Sequence, residues 1–227
     1  MSAARDDLIA RLEAAGDPTR APGQQDYMKS DMPFHGVRVP EVRKIAKAVA
    51  TDHPFRDRAE WEATVLEIWR QATHREQMYA ATDIAAHKPY RGWLDGEALA
   101  MVEEMIVSGA WWDHVDALAT NHMGLMLAQD PTVVRPVMWR WATDENLWRR
   151  RTSIIGQLKF KADTDLELLF HAIESSIPSR EFFLRKAIGW ALREYAKTDP
   201  DEVIAFVDRH EDRLSGLSKR EALKHLR

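Results

Sequence analysis

Trp112, Arg151 and Trp190 stand 39 positions apart in the chain, and each lies in a stretch of strong helical periodicity. A further helical stretch separates each pair. A repeat near 40 residues with two helices per unit is the pattern of HEAT- and armadillo-type solenoids. In such stacks, equivalent positions of successive units line one surface. The rest of the chain agrees. Alternating Val/Ile/Thr/Tyr runs bounded by turn residues are missing, so strands are not expected. Thr73-His-Arg-Glu76, Thr164-Asp-Leu-Glu167 and Ser218-Lys-Arg-Glu221 each match a capping box. Pro40, Pro131 and Pro200 sit where a first helical turn can begin, the last two after Asp130 and Asp199. Helices are expected near 4–15, 22–30, 40–51, 59–70, 74–87, 95–108, 111–127, 131–142, 146–160, 165–175, 180–197, 200–209 and 218–226. The fold class is therefore all-α, a HEAT-like helical-repeat solenoid with a concave face. No Gly/Ser-rich linker interrupts it, so residues 1–227 read as a single domain.

Several function classes drop out on composition. With 45% hydrophobic residues and charges of both signs, the chain suits a packed core rather than disorder. No apolar run approaches the roughly 18 residues of a membrane span, and the first residues lack the apolar block of a signal peptide. The absence of cysteine excludes disulfides, thiol catalysis and thiolate metal sites, and it fits a cytoplasmic protein. The nine histidines are scattered singly, so no metal is expected. No phosphate-binding loop or dinucleotide glycine pattern is present, and no cofactor is expected. There is no Gly-x-Ser-x-Gly elbow, although a Ser-His-Asp set separated in sequence stays open. A net charge of −4 gives no nucleic-acid signal for the whole chain, so any basic surface is local. Residues 135–197 carry 12 Lys/Arg against 8 Asp/Glu, while residues 52–104 carry 6 against 11. The later repeats are the expected basic side.

Chemistry is expected around Trp111-Trp112-Asp113-His114-Val115-Asp116. Consecutive helical side chains are turned roughly 100° apart, so the two indoles cannot share one face. Trp111 falls in line with Val115, Leu118 and His122, a mostly apolar stripe. Trp112 is rotated off that stripe, with Asp116 one turn further along its own line. The helix thus shows an aromatic ring and a carboxylate together at its rim. A core tryptophan pair beside a solvated acid fits this stretch as well. Arg151 falls in the middle of an apolar stripe of Leu147, Ile154, Ile155 and Leu158, where a dry, unpaired guanidinium costs several kcal/mol. Two roles are open to it: an ion pair with Asp113 or Asp116 of the neighbouring unit, or a cleft wall that awaits a phosphate. On 180–197, Phe183, Leu184, Ala187, Ile188, Ala191 and Tyr195 form a packing side. Lys186, Trp190, Arg193 and Lys197 form a second stripe. A tryptophan within a basic stripe suits a nucleic-acid backbone, and a solvated basic face with a partly buried indole is the plainer alternative.

These residues resemble the AlkD-type DNA alkylation repair glycosylases. The likeness rests on Trp-Trp-Asp-x-Val-Asp at 111–116, on Asn146-Leu-Trp with Arg151 and Gln157-Leu-Lys159, and above all on the block from Glu181 to Lys197. Matches extend from Tyr27-Met-Lys29 to Ser218-Lys-Arg-Glu-Ala-Leu-Lys-His225, nearly the whole chain. The resemblance implies a concave DNA-binding face and excision of cationic N3- and N7-alkylated purines from double-stranded DNA by a monomer. It also implies that the lesion stays stacked and is attacked from the backbone side. Carried over by motif, Asp116 is the catalytic acid, Trp112 and Trp190 are the aromatic cleft walls, and Arg151 is the arginine beside them. Tyr27, Lys159, Lys186, Arg193 and Lys197 become the expected DNA contacts. Arg149 and Arg150 depart from the pattern and bear on DNA affinity more than on chemistry. A non-catalytic solenoid that binds damaged or distorted backbone, and a scaffold for protein partners, are the alternatives.

Overall fold

A computed structural model of the chain describes residues 2–226. It is all-helical, with no strand among the described residues. The contacts fall into two compact units, 1–94 and 95–227.

The first unit holds α1 (Ala3–Ala14), α2 (Ala21–Met28), α3 (Val39–Asp52), α4 (Arg58–Arg70) and α5 (Arg75–Ala85), followed by a 3₁₀ segment at Lys88–Trp93. Helix α3 buries Val42, Ala46 and Val49, spaced at i, i+4 and i+7, against α5 and α1. Pro40 lies in its first turn, as expected. The capping box expected at Thr73–Glu76 does not form. Glu76 is fully buried and accepts the backbone N–H groups of His35, Gly36 and Val37 at 3.0, 2.9 and 3.0 Å. The Thr73 N–H goes instead to Gln77. A long-range demand for an acceptor has overridden the local pattern: two of the three N–H groups are buried and must be satisfied.

The second unit opens with a 3₁₀ turn at Gly96–Ala98, then α6 (Leu99–Gly109), α7 (Trp112–Leu118), a π-helical turn at Ala119–Met123, and α8 (Gly124–Gln129). It continues with α9 (Pro131–Trp141), α10 (Leu147–Ile155), a 3₁₀ turn at Lys161–Asp163, and α11 (Leu166–Ser176). It closes with α12 (Phe182–Tyr195), α13 (Pro200–Arg209) and α14 (Gly216–Ala222). Helices α7, α10, α12 and α14 pack in succession, with α9, α11 and α13 behind them. Their shared core includes Ile154, Ile155, Leu169, Ile173, Leu184, Ile188, Leu192 and Phe206, and each such side chain contributes about 1.5–3 kcal/mol on burial.

Three local expectations are corrected here. The Asp165 side chain, not Thr164, caps α11 by accepting the Leu168 N–H. Ser215, not Ser218, caps α14, and Glu221 turns away to α12. The helix expected to 160 ends at Ile155, because the Gln157 amide crosses to both the N–H and the C=O of Asp165 and pulls the chain into a turn. Within the expected 111–127 helix, the Gly124 N–H reaches back five residues to the Ala119 carbonyl. Gly124 is required there. A Cβ would lie 2.5 Å from the Gly156 carbonyl, where the α8 backbone meets the end of α10.

Candidate active site

The row of 39-residue spacings becomes one cleft. Trp112 and Asp116 from α7, Arg151 from α10, and Lys186, Trp190 and Arg193 from α12 line a cavity of about 290 Å³, with Phe182 and Phe183. Trp111 goes the other way. It packs edge-on to Phe183 at 5.4 Å and against Trp148 at 6.4 Å. Trp111 is the extended N-cap residue of α7 and Trp112 its first helical residue, so the two indoles diverge where the chain enters the helix, and Trp112 is left half-buried at the rim.

Arg151 takes the ion-pair role. It is 3% exposed and grips both oxygens of Asp116, Nε to Oδ1 at 2.6 Å and Nη2 to Oδ2 at 2.8 Å. Nη1 donates to the Phe183 carbonyl, and the guanidinium lies 5.9 Å from the Phe183 ring. Three of the five guanidinium N–H donors are thus engaged within the protein. Asp116 keeps 19% of its side chain accessible, on the cleft side. Burial pushes its carboxyl above the ordinary aspartate value. Arg151 opposes that shift, and Asp113 adds to it. Each carboxylate oxygen has two lone-pair sites and spends one on Arg151, so accepting capacity remains toward the cleft.

A family model for DNA alkylation repair enzymes matches residues 8–226. The chain belongs to the DNA alkylation repair enzyme family. Among solved structures it is similar to one described as a predicted DNA alkylation repair enzyme from Enterococcus faecalis. That likeness has 31% identity and a TM-score of 0.83, covering 93% of this chain and 96% of that one. AlkD2 from Streptococcus mutans shares the fold at 18% identity and a TM-score of 0.65, covering 97% and 98% of the two chains. The structure of smu.31 from Streptococcus mutans UA159 does so at 18% and 0.64, covering 98% and 99%. A comparison with curated proteins finds no match. Membership in this family makes DNA the substrate against which the remaining residues are read.

The expected DNA contacts are placed unevenly. Lys186 and Arg193 line the cleft, and both are ion-paired to Glu221 of α14. Lys197 is exposed and pairs with Glu194 on its own helix, outside this cleft. Lys159 is exposed and bonded to Asn121. Tyr27, 74% exposed, lies at the end of α2 in the first unit. Arg149 and Arg150 are used inside the second unit. Arg149 pairs with Glu103 at 2.7 Å and Asp144 at 3.3 Å, and Arg150 donates to the Ser175 carbonyl and Ser176 Oγ. Sequence reasoning missed Phe182 and Glu221. Phe182, 59% exposed at the cleft mouth, precedes the packing stripe by one position, and an apolar residue at a helix start carries no signal of its own. Glu221 was absorbed into a capping pattern.

Proposed function

We propose that this family member is a monofunctional DNA glycosylase. It releases cationic N3- and N7-alkylated purines from duplex DNA without a cofactor, as a single HEAT-like repeat domain acting as a monomer in the cytoplasm. The observation that carries the reading is a carboxylate held by a bidentate guanidinium in a cleft that two indoles also line, with part of its surface accessible.

Alkylation at N3 or N7 gives the purine a formal positive charge, so it leaves with the electron pair of the C1′–N bond and needs no protonation. Bond cleavage builds oxocarbenium character on the deoxyribose. The Asp116 carboxylate stabilises that charge and orients the water that adds at C1′, the nucleophilic half of a two-carboxylate glycosidase. Burial raises the Asp116 carboxyl above its ordinary value, and Arg151 opposes that rise. Trp112 and Trp190 offer π-faces to the cationic sugar and base, each contributing about 0.5–2 kcal/mol. Lys186, the nearest candidate for a Schiff-base nucleophile, is taken up in an ion pair with Glu221 at 2.8 Å, which supports hydrolysis by water rather than by lysine.

The test is release of free 7-methylguanine from methylated duplex. Wild type is expected to release it, and Asp116→Asn to lose at least a hundredfold in single-turnover rate, the order of one electrostatic stabiliser, while still binding duplex. Release by Asp116→Asn at the wild-type rate removes the catalytic assignment. Duplex binding without release by wild type leaves a backbone-binding protein.

A further inference from the structure

Glu221 is the carboxylate that the cleft chemistry leaves unexplained. It reaches from α14 to α12, where one oxygen accepts from Lys186 Nζ at 2.8 Å and the other from Arg193 Nη1. Lys186 stands one turn before Trp190 and Arg193 about one turn after it, so the two cations flank the indole along the cleft wall. The carboxylate is fixed by the way α14 seats. Gly189 lets the helices touch, since a Cβ there would lie 2.4 Å from the Cβ of Glu221. Ser218 Oγ donates to the Arg185 carbonyl at 2.9 Å and locks the same contact. The bond from Lys186, with the charge of Arg193, holds the Glu221 carboxyl below the usual glutamate range, so it is ionised at neutral pH.

We propose that Glu221 is a positioning residue for the DNA backbone: it holds Lys186 and Arg193 in fixed poses on either side of Trp190 and cancels one of their two charges. The proposal rests on the DNA-processing reading of the cleft. Two long, flexible cations gripping phosphate alone would bind any duplex, because phosphate contacts carry no sequence or damage information. A shared counter-charge trades some of that indiscriminate grip for register. The phosphates are then met by pre-oriented donors while the sugar lies against Asp116.

The charge and the geometry are separated by two variants. Glu221→Gln keeps the shape and removes the charge. Its binding to undamaged duplex is expected to be tighter at low salt, with a log–log salt slope steeper by about 0.9. The gain over wild type then shrinks about 3.5-fold between about 50 and 200 mM salt. Base release at saturating enzyme falls at the same time, several-fold, because the donors lose their common anchor. Glu221→Asp keeps the charge but, one methylene shorter, cannot span both cations. It is expected to show the wild-type slope with reduced release. A wild-type slope in Glu221→Gln overturns the counter-charge, and full release by Glu221→Asp overturns the positioning. A carboxylate that only tied α14 to α12 would lower the melting temperature without steepening the slope. Wild type that binds duplex but releases no base sinks the glycosylase reading and leaves the slope comparison standing. Wild type that binds no duplex removes both.

Discussion

Arg151→Ala probes the pair on which the site depends. The guanidinium is 3% exposed and serves both Asp116 oxygens and the Phe183 carbonyl. Removing one partner of a buried ion pair costs about 3–5 kcal/mol, because the other charge is left uncompensated. The orphaned carbonyl adds about 1 kcal/mol. Against a usual total of about 5–15 kcal/mol, the variant is expected to fold but with a large fraction of its stability gone at neutral pH. The penalty depends on Asp116 being charged. Its folded pKa already lies above the ordinary value, and loss of Arg151 raises it further. A carboxyl that binds its proton more tightly when folded favours the folded state below the ordinary carboxylate pKa, and that contribution is lost as pH rises through the folded pKa. The gap between wild type and variant is therefore widest near neutrality and closes on acidification. Urea denaturation at several pH values measures it. The acid limb of the pH–rate profile for base release should move upward in the same variant. Asp116→Asn in the Arg151→Ala background should recover stability at neutral pH by removing the stranded charge, a coupling visible in a double-mutant cycle. A gap that is flat with pH, or a double variant no more stable than Arg151→Ala, refutes the reasoning.

Gly124→Ala places a Cβ 2.5 Å from the Gly156 carbonyl and forces α8 off the end of α10. A loss of about 1–3 kcal/mol in chemical denaturation is expected, and base release should fall as Asp116 and Arg151 separate. Wild-type values for both would mean that the approach is looser than it looks. Glu76→Gln trades a carboxylate that accepts three backbone N–H groups for an amide with one acceptor oxygen. It should cost about 3 kcal/mol, each charge-assisted bond contributing roughly 1.5–3 kcal/mol. Amide exchange at Gly36 and Val37 should accelerate, and unchanged protection there would count against the assignment.

The cleft was legible because its residues repeat at one spacing and because the helices that carry them are strongly periodic. The angle argument separated Trp112 from Trp111 but put both in the helix, whereas Trp111 is its extended N-cap; Arg151 betrayed itself by standing in an apolar stripe. Its partner was among the acids considered, but the choice between pairing and waiting for phosphate needed a distance. The capping boxes failed for a different reason. A Ser or Thr three residues before a Glu records a local opportunity, and Glu76 and Glu221 were claimed by partners 40 and 35 positions away. Such competition lies in the packing of helices, beyond the reach of any window along the chain. The same limit hid Phe182, whose exposure follows from where α12 begins.

The π turn between α7 and α8 adds one residue to what would otherwise be a continuous α-helix. Each residue turns an α-helix by about 100°. Deleting any one of residues 119–123 would restore ordinary winding and swing Asp116 away from the guanidinium, with every side chain of the cleft still present. In genetic terms the reading frame of this wall is counted in single codons: substitutions can drift through the turn, but an in-frame loss of three nucleotides cannot.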